Sequence, residues 1–161
     1  MKVAIIMGSK SDLMIMEECS CILKQFGIAY EMRILSAHRT PDEVTAFSKN
    51  AKADGFSIII AGAGMAAHLA GVISAHTTLP VIGIPLDASL QGIDALFSMV
   101  QMPPGVPVAT MGVGKAGAKN AALLAVEILS LMDDSLQVKL DQYRQDMKKN
   151  VLEADESIKK L

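Results

Sequence analysis

Tryptophan is absent from the 161-residue chain, and the remaining aromatics amount to four phenylalanines and two tyrosines. A core drawn from such a sequence is aliphatic, with eleven methionines available to fill gaps. One-sided charge is missing too. Fifteen lysines and arginines stand against seventeen acidic residues, with both signs interspersed. That balance excludes the basic stripe that nucleic acid or an anionic membrane surface would require, so an anionic ligand has to be held by a local site. Cysteine is nearly lacking: Cys19 and Cys21 lie two apart in a predicted helix. At that spacing they face different directions, which argues against a disulfide or a shared metal site and suits free thiols in a reducing cytoplasm. Long apolar runs are missing as well. "VAIIM" near the N-terminus is too short for a signal sequence, and nothing approaches a membrane span.

What the chain does have is alternation. Short β-rich runs at 2–7, 29–34, 57–61, 81–85 and 107–111 are separated by helical patterns near 12–26, 41–54, 65–76, 92–100 and 116–132. Three of the runs are almost continuously apolar, as strands covered on both faces must be. The expectation is an α/β fold with a parallel, doubly wound sheet. No repeat, low-complexity tract or linker divides the chain, so 1–161 is expected to be one domain, with an α/β core over 1–133 and a terminal helix over 134–161. On that helix Leu136, Leu140, Tyr143, Met147, Val151, Ala154 and Ile158 form one apolar stripe. It needs one surface to cover, either its own sheet layer or a neighbouring subunit.

Ligands of open parallel sheets bind in the loops beyond the carboxyl ends of the strands. The first such loop, "MGSKSD" (Met7 to Asp12), offers a glycine, the Ser9 and Ser11 hydroxyls and a helix N-terminus suited to an anion. Ser11 or Asp12 as a plain helix cap is the simpler alternative. The second, "SAHRTPDE" (Ser36 to Glu43), ends in a predicted capping box of Thr40 and Glu43 with Pro41 at the first helical position. His38 and Arg39 are thereby pinned just upstream. Arg39 brings a donor fork matched to phosphate or carboxylate, and His38 a ring able to move a proton near neutrality. A loop histidine bonded only for structure fits this stretch equally well.

The third loop, "AGAGMAAHLAG" (Ala61 to Gly71), matches G-x-G-x-x-A at Gly62, Gly64 and Ala67, with Asp87 placed to serve as a ribose-binding acid. Against a dinucleotide site stand its position in the third strand–helix unit and the histidine, His68, directly behind it. Small residues that let a helix pack closely on the sheet are the alternative. "GVGKAGAKN" (Gly112 to Asn120) has Ala116 and Ala109 where a P-loop needs a hydroxyl residue and a glycine. His76 follows His68 by eight residues with no third ligand nearby, so no metal site is expected.

Taken in order, "MGSKSD", "SAHRTPDE", "IIAGAGMAAHLAG", "LPVIGIP" and "VQMPPGVPVAT" resemble the bacterial N5-carboxyaminoimidazole ribonucleotide mutase family of purine synthesis, over residues 3 to about 131. The resemblance implies a flavodoxin-like three-layer sandwich, assembled as a homo-octamer with active sites at subunit contacts. It also implies a carboxylate shift from the exocyclic nitrogen of the nucleotide to ring carbon C4, with neither metal nor organic cofactor. Carried over by motif, Ser9, Ser11 and Asp12 bind phosphate and ribose, Ser36 and Arg39 complete the phosphate site, and His38 is the general acid/base. Gly62, Ala63, Gly64, His68 and Leu69 line the pocket for the imidazole and the migrating carboxylate. Two positions depart from the family pattern: Met65 stands where many members have glycine, and Ala70 where many have proline. Direct carboxylation of aminoimidazole ribonucleotide by carbon dioxide and a non-catalytic nucleotide-binding module are the competing readings. The third loop favours the mutase over the direct carboxylase.

Overall fold

The computed structural model describes residues 1–159. The last two residues of the terminal helix expected over 134–161 lie outside them. Five strands, β1 (Lys2–Met7), β2 (Ala29–Ile34), β3 (Phe56–Gly64), β4 (Val81–Leu86) and β5 (Ala109–Thr110), form one sheet in the order β2-β1-β3-β4-β5. All four pairings are parallel. This is the doubly wound, flavodoxin-like order, whose switch point lies between β1 and β3. The helices are α1 (Leu13–Phe26), α2 (Pro41–Asn50), α3 (Leu69–His76), α4 (Ile93–Val100), α5 (Gly114–Ser130) and α6 (Asp134–Lys159). The chain resolves into two compact units, 1–125 and 126–161, with the boundary inside α5.

In the first unit, alternation along the strands distributes the core. Ala4 and Ile6 of β1 and Ile59, Ala61 and Ala63 of β3 face α2, α3 and α4, whose Val44, Phe47, Ile73, Ala95 and Met99 complete an apolar layer. The opposite face is covered by α1. Its buried Cys19 thiol donates to the carbonyl oxygen of Ala118 in α5 at 3.1 Å, tying those two helices side by side. β2 is the exposed edge and is charged accordingly, with Lys2 reaching Glu31 at 2.7 Å.

β3, α3 and β5 differ from expectation. β3 does not stop at residue 61 but stays paired with β4 through Gly64 opposite Leu86. α3 consequently begins at Leu69, not near residue 65. β5 is reduced to two residues, because Pro107 has no N–H to give a ladder. In the second unit, the Asp133 carboxylate accepts from the Ser135 amide and hydroxyl at 3.0 and 2.6 Å and so caps α6. Of the predicted α6 stripe, Leu136 and Leu140 are buried, whereas Met147, Val151 and Ile158 are exposed.

Candidate functional site

Four loops at the carboxyl edge of the sheet, all in the first unit, enclose a cavity of about 500 Å³. That is ample for a mononucleotide-sized ligand. In the loop after β1, Ser9 caps a single 3₁₀ turn, accepting from the Ser11 amide at 3.3 Å and from its hydroxyl at 3.0 Å. The Ser11 hydroxyl also lies 3.3 Å from a carboxylate oxygen of Asp12. Asp12 makes no cap bond of its own to α1, so the carboxylate is available to a ligand rather than spent on the helix. Burial pushes this carboxyl above its ordinary value, opposed by hydrogen bonds from the Ser9 amide and the Ser11 hydroxyl and by the charge of Arg39.

The loop after β2 closes on itself, though not as a capping box. Thr40 precedes Pro41 at the start of α2 but makes no side-chain cap bond. Its hydroxyl turns back instead, donating to the Ser36 carbonyl at 3.1 Å and accepting from the Ser36 amide at 2.9 Å. Both contacts orient the hydroxyl toward the backbone behind it, and that local bonding outcompetes the helix end. The Thr40 amide adds a 2.9 Å bond to the same carbonyl. Arg39 then joins this loop to the first one. Its Nη2 donates to the Gly8 carbonyl at 2.7 Å, and its Nε approaches the Ser36 hydroxyl at 3.4 Å. Two planar N–H donors of the fork hold the guanidinium in place while the others stay free for an anion.

The loop after β3 turns sharply at Met65, whose φ of +58° is left-handed. Most side chains avoid that region and glycine does not, so Met65 holds a conformation that favours glycine. Ala70 sits in the first turn of α3, where a proline is also tolerated. His68 immediately precedes α3, its amide bonded to the Ala66 carbonyl at 2.8 Å and its carbonyl accepting from Val72 at 2.9 Å. From the fourth loop, Ala88 approaches so closely that a Cβ on Gly64 would stand 2.6 Å from the Ala88 Cβ. Glycine is therefore required for the two loops to touch.

The structure gathers Ser9, Ser11, Asp12, Ser36, His38, Arg39, Ala63, Gly64, His68 and Leu69 around the cavity, as the motifs suggest. Gly62 is not brought there. It is paired within β3, and the space a side chain would take is filled by the thioether of Met16 in α1. The G-x-G-x-x-A string is thus no dinucleotide loop: both glycines belong to the strand instead of a turn opening a helix, and Asp87 does not line the cavity. Sequence reasoning missed Ala37, Ala66 and Ala88, small residues that carry no chemical signal. It also missed a contact between the two loop histidines. His38 Nε2 and His68 Nδ1 are 2.9 Å apart, with the rings edge to face at 85°. Among the described residues, no three His, Cys, Asp or Glu side chains gather closely enough to hold a metal ion, and no helix is long and apolar enough to cross a membrane.

Residues 2–150 match the model of a family described as AIR carboxylase. The N5-carboxyaminoimidazole ribonucleotide mutase of Methanocaldococcus jannaschii is 54% identical, over 99% of this chain and 98% of its own length. The enzyme of the same name from Bacillus subtilis is 51% identical, over 97% of each chain. Among solved structures, Treponema denticola PurE superposes with a TM-score of 0.87 at 34% identity, over 97% of both chains.

Proposed function

The chain belongs to the AIR carboxylase family, and from that membership we propose that it is an N5-carboxyaminoimidazole ribonucleotide mutase, an isomerase of purine biosynthesis. The observation that carries the reading is the meeting, in one cavity, of the Ser9 and Ser11 hydroxyls and the Arg39 guanidinium with the imidazole of His38. The Ser9 and Ser11 hydroxyls, the Ser36 hydroxyl and the unused Arg39 donors hold the phosphate, with Asp12 accepting from ribose hydroxyls. Ala63, Gly64 and Leu69 form the small, apolar wall against which the imidazole and carbon dioxide are kept.

The chemistry then needs one proton carrier. Protonated His38 gives a proton to the carbamate nitrogen. The carbon–nitrogen bond breaks with its electron pair going to nitrogen, and carbon dioxide is released beside aminoimidazole ribonucleotide. The enamine-like ring attacks through C4, forming the new carbon–carbon bond. Neutral His38 removes the C4 proton, which restores the aromatic ring and the starting protonation state. Holding carbon dioxide at C4 supplies the advantage of an intramolecular reaction, and excluding water prevents its loss.

The reading is tested by following the carboxylate label by carbon NMR without added bicarbonate, in wild type and His38→Asn. Turnover should collapse by on the order of 10²–10⁴-fold in the variant while nucleotide binding survives. Wild type and variant equally inert would mean a non-catalytic binding module. Turnover far better from aminoimidazole ribonucleotide with bicarbonate would establish the direct carboxylase, the activity its family description names. We further place the chain in a cytoplasmic homo-oligomer, an octamer. Two free thiols suit the compartment. The assembly is supported by two outward apolar stripes, Ile93, Phe97 and Val100 on α4 and Met147, Val151 and Ile158 on α6.

A further inference from the structure

Met65 occupies a backbone conformation that side chains resist. Its φ of +58° is left-handed, and a residue with a Cβ stays there only when its neighbours hold it. They do so on both sides. Gly64 is paired with Leu86 at the end of β3 and lies against Ala88. Beyond Met65, Ala67 is buried and the His68 amide is bonded to the Ala66 carbonyl at 2.8 Å. Burial does not offset the strain: Met16 and Met99 are fully buried in the core, whereas Met65 is 60% exposed. A residue that lines the cavity and stays this exposed stands at its rim. The other apolar lining is short or fixed, because Ala37, Ala63, Ala66 and Ala88 have no side-chain rotamers and Leu69 is buried. Among the described residues lining the cavity, Met65 alone offers an exposed, unbranched apolar side chain with three rotatable bonds.

We propose that Met65 is the apolar cover of the reaction cavity: with nucleotide bound, its side chain folds over the imidazole, keeping water out and carbon dioxide in. The inference rests on the mutase reading and deepens it, by naming the residue that governs retention of the migrating group. The demand is chemical. After the carbon–nitrogen bond breaks and before the carbon–carbon bond forms, carbon dioxide has no covalent tie and no net charge. The hydroxyls and guanidinium that hold a phosphate cannot retain it. Carbon dioxide that leaves the cavity leaves aminoimidazole ribonucleotide behind, and a dissolved molecule can enter in its place. An apolar side chain over the ring slows both exchanges. Because the backbone on either side of Met65 is fixed, closure needs only a change of rotamer and orders one side chain. Covering the exposed part of one methionine shifts the balance between open and closed cavity by about tenfold.

Three substitutions separate an apolar cover from a filler of space. Met65→Leu keeps an apolar side chain, Met65→Gln keeps the length but ends in an amide, and Met65→Gly removes the side chain. Glycine accepts the left-handed φ, so Met65→Gly should melt no lower than wild type at the same protein concentration. Each protein receives substrate with a labelled carboxylate in buffer containing unlabelled bicarbonate, and the label at C4 is followed by carbon NMR. Wild type and Met65→Leu should carry the label to C4 undiluted. Met65→Gly and Met65→Gln should release about tenfold more aminoimidazole ribonucleotide per turnover and take up unlabelled carbon. Label retention in Met65→Gly equal to that of wild type would overturn the proposal. A second measurement needs no turnover. With methyl-labelled methionine, the Met65 resonance, identified by its loss in Met65→Leu, should shift when aminoimidazole ribonucleotide binds. A Met65 resonance indifferent to the bound nucleotide would also overturn the proposal and assign the side chain to another surface. If wild type fails to isomerise the substrate, the mutase reading falls, and the methyl resonance still decides whether Met65 closes over the nucleotide.

Discussion

Gly62 lies in a motif that invites a pocket role, yet its surroundings assign it to packing. A Cβ built there overlaps the Met16 sulfur, and it stands 2.9 Å from Met16 Cε and 3.4 Å from Cγ. Met16 is fully buried, so its side chain cannot swing into solvent to make room. It is, however, unbranched and adaptable, which limits the strain. Overpacking of this kind costs about 1–3 kcal/mol. In a chain of this length each kcal/mol moves the melting temperature by roughly 2–4 °C. Gly62→Ala should therefore melt about 2–12 °C below wild type, measured at fixed protein concentration so that assembly does not confound the comparison. KM for the nucleotide should be unchanged, because the added methyl faces α1 and not the cavity. Adding Met16→Ala should be less damaging in the Gly62→Ala background than in wild type, a coupling that a double-mutant cycle reads directly. A Gly62→Ala protein of wild-type stability with a raised KM would refute the packing argument and return this glycine to the pocket.

Other consequences are open to equally direct measurement. Thr40→Val strips the Ser36 amide of its partner and should cost about 1–3 kcal/mol in urea unfolding, while Thr40→Ser should retain most of that stability. Because the same loop carries His38, kcat should fall in the valine variant. For Asp12 burial raises the folded-state carboxyl above its ordinary value of 3.8, so the native state holds its proton more tightly than the unfolded chain. Wild type thus loses stability as pH rises through that window, and Asp12→Asn does not. The melting temperature of Asp12→Asn relative to wild type should shift in the variant's favour as pH climbs above 3.8, and a difference independent of pH would contradict the assignment. Removing the chain from Asp141 onward deletes the exposed half of the α6 stripe and should change the oligomeric state. An unaltered elution volume would count against α6 as a subunit contact.

The sheet was largely legible because β1, β3 and β4 are covered on both faces and read as continuous apolar runs. The second loop was legible for a different reason: Pro41 fixes where α2 begins, and that leaves His38 and Arg39 nowhere but the loop. Glycine misled at the end of β3. Gly62 and Gly64 read as a turn because their conformational freedom is visible in sequence, whereas the neighbours that demand small residues, Met16 and Ala88, are distant in the chain. Thr40 misled similarly, since a cap pattern sees only residues ahead of it and the Ser36 backbone lies behind. The histidine contact joins residues thirty positions apart and had no local signature at all.

The thiol linking α1 to α5 has a consequence for chemical labelling. Burial pushes Cys19 up to about 12, so at neutral pH its reactive thiolate is only about one part in 10⁵. Cys21, two residues away, is exposed. An alkylating reagent applied to the folded protein should therefore modify Cys21 rapidly and reach Cys19 only when α1 lifts away. The two cysteines form a built-in clock, one thiol counting reagent and the other counting openings of the core.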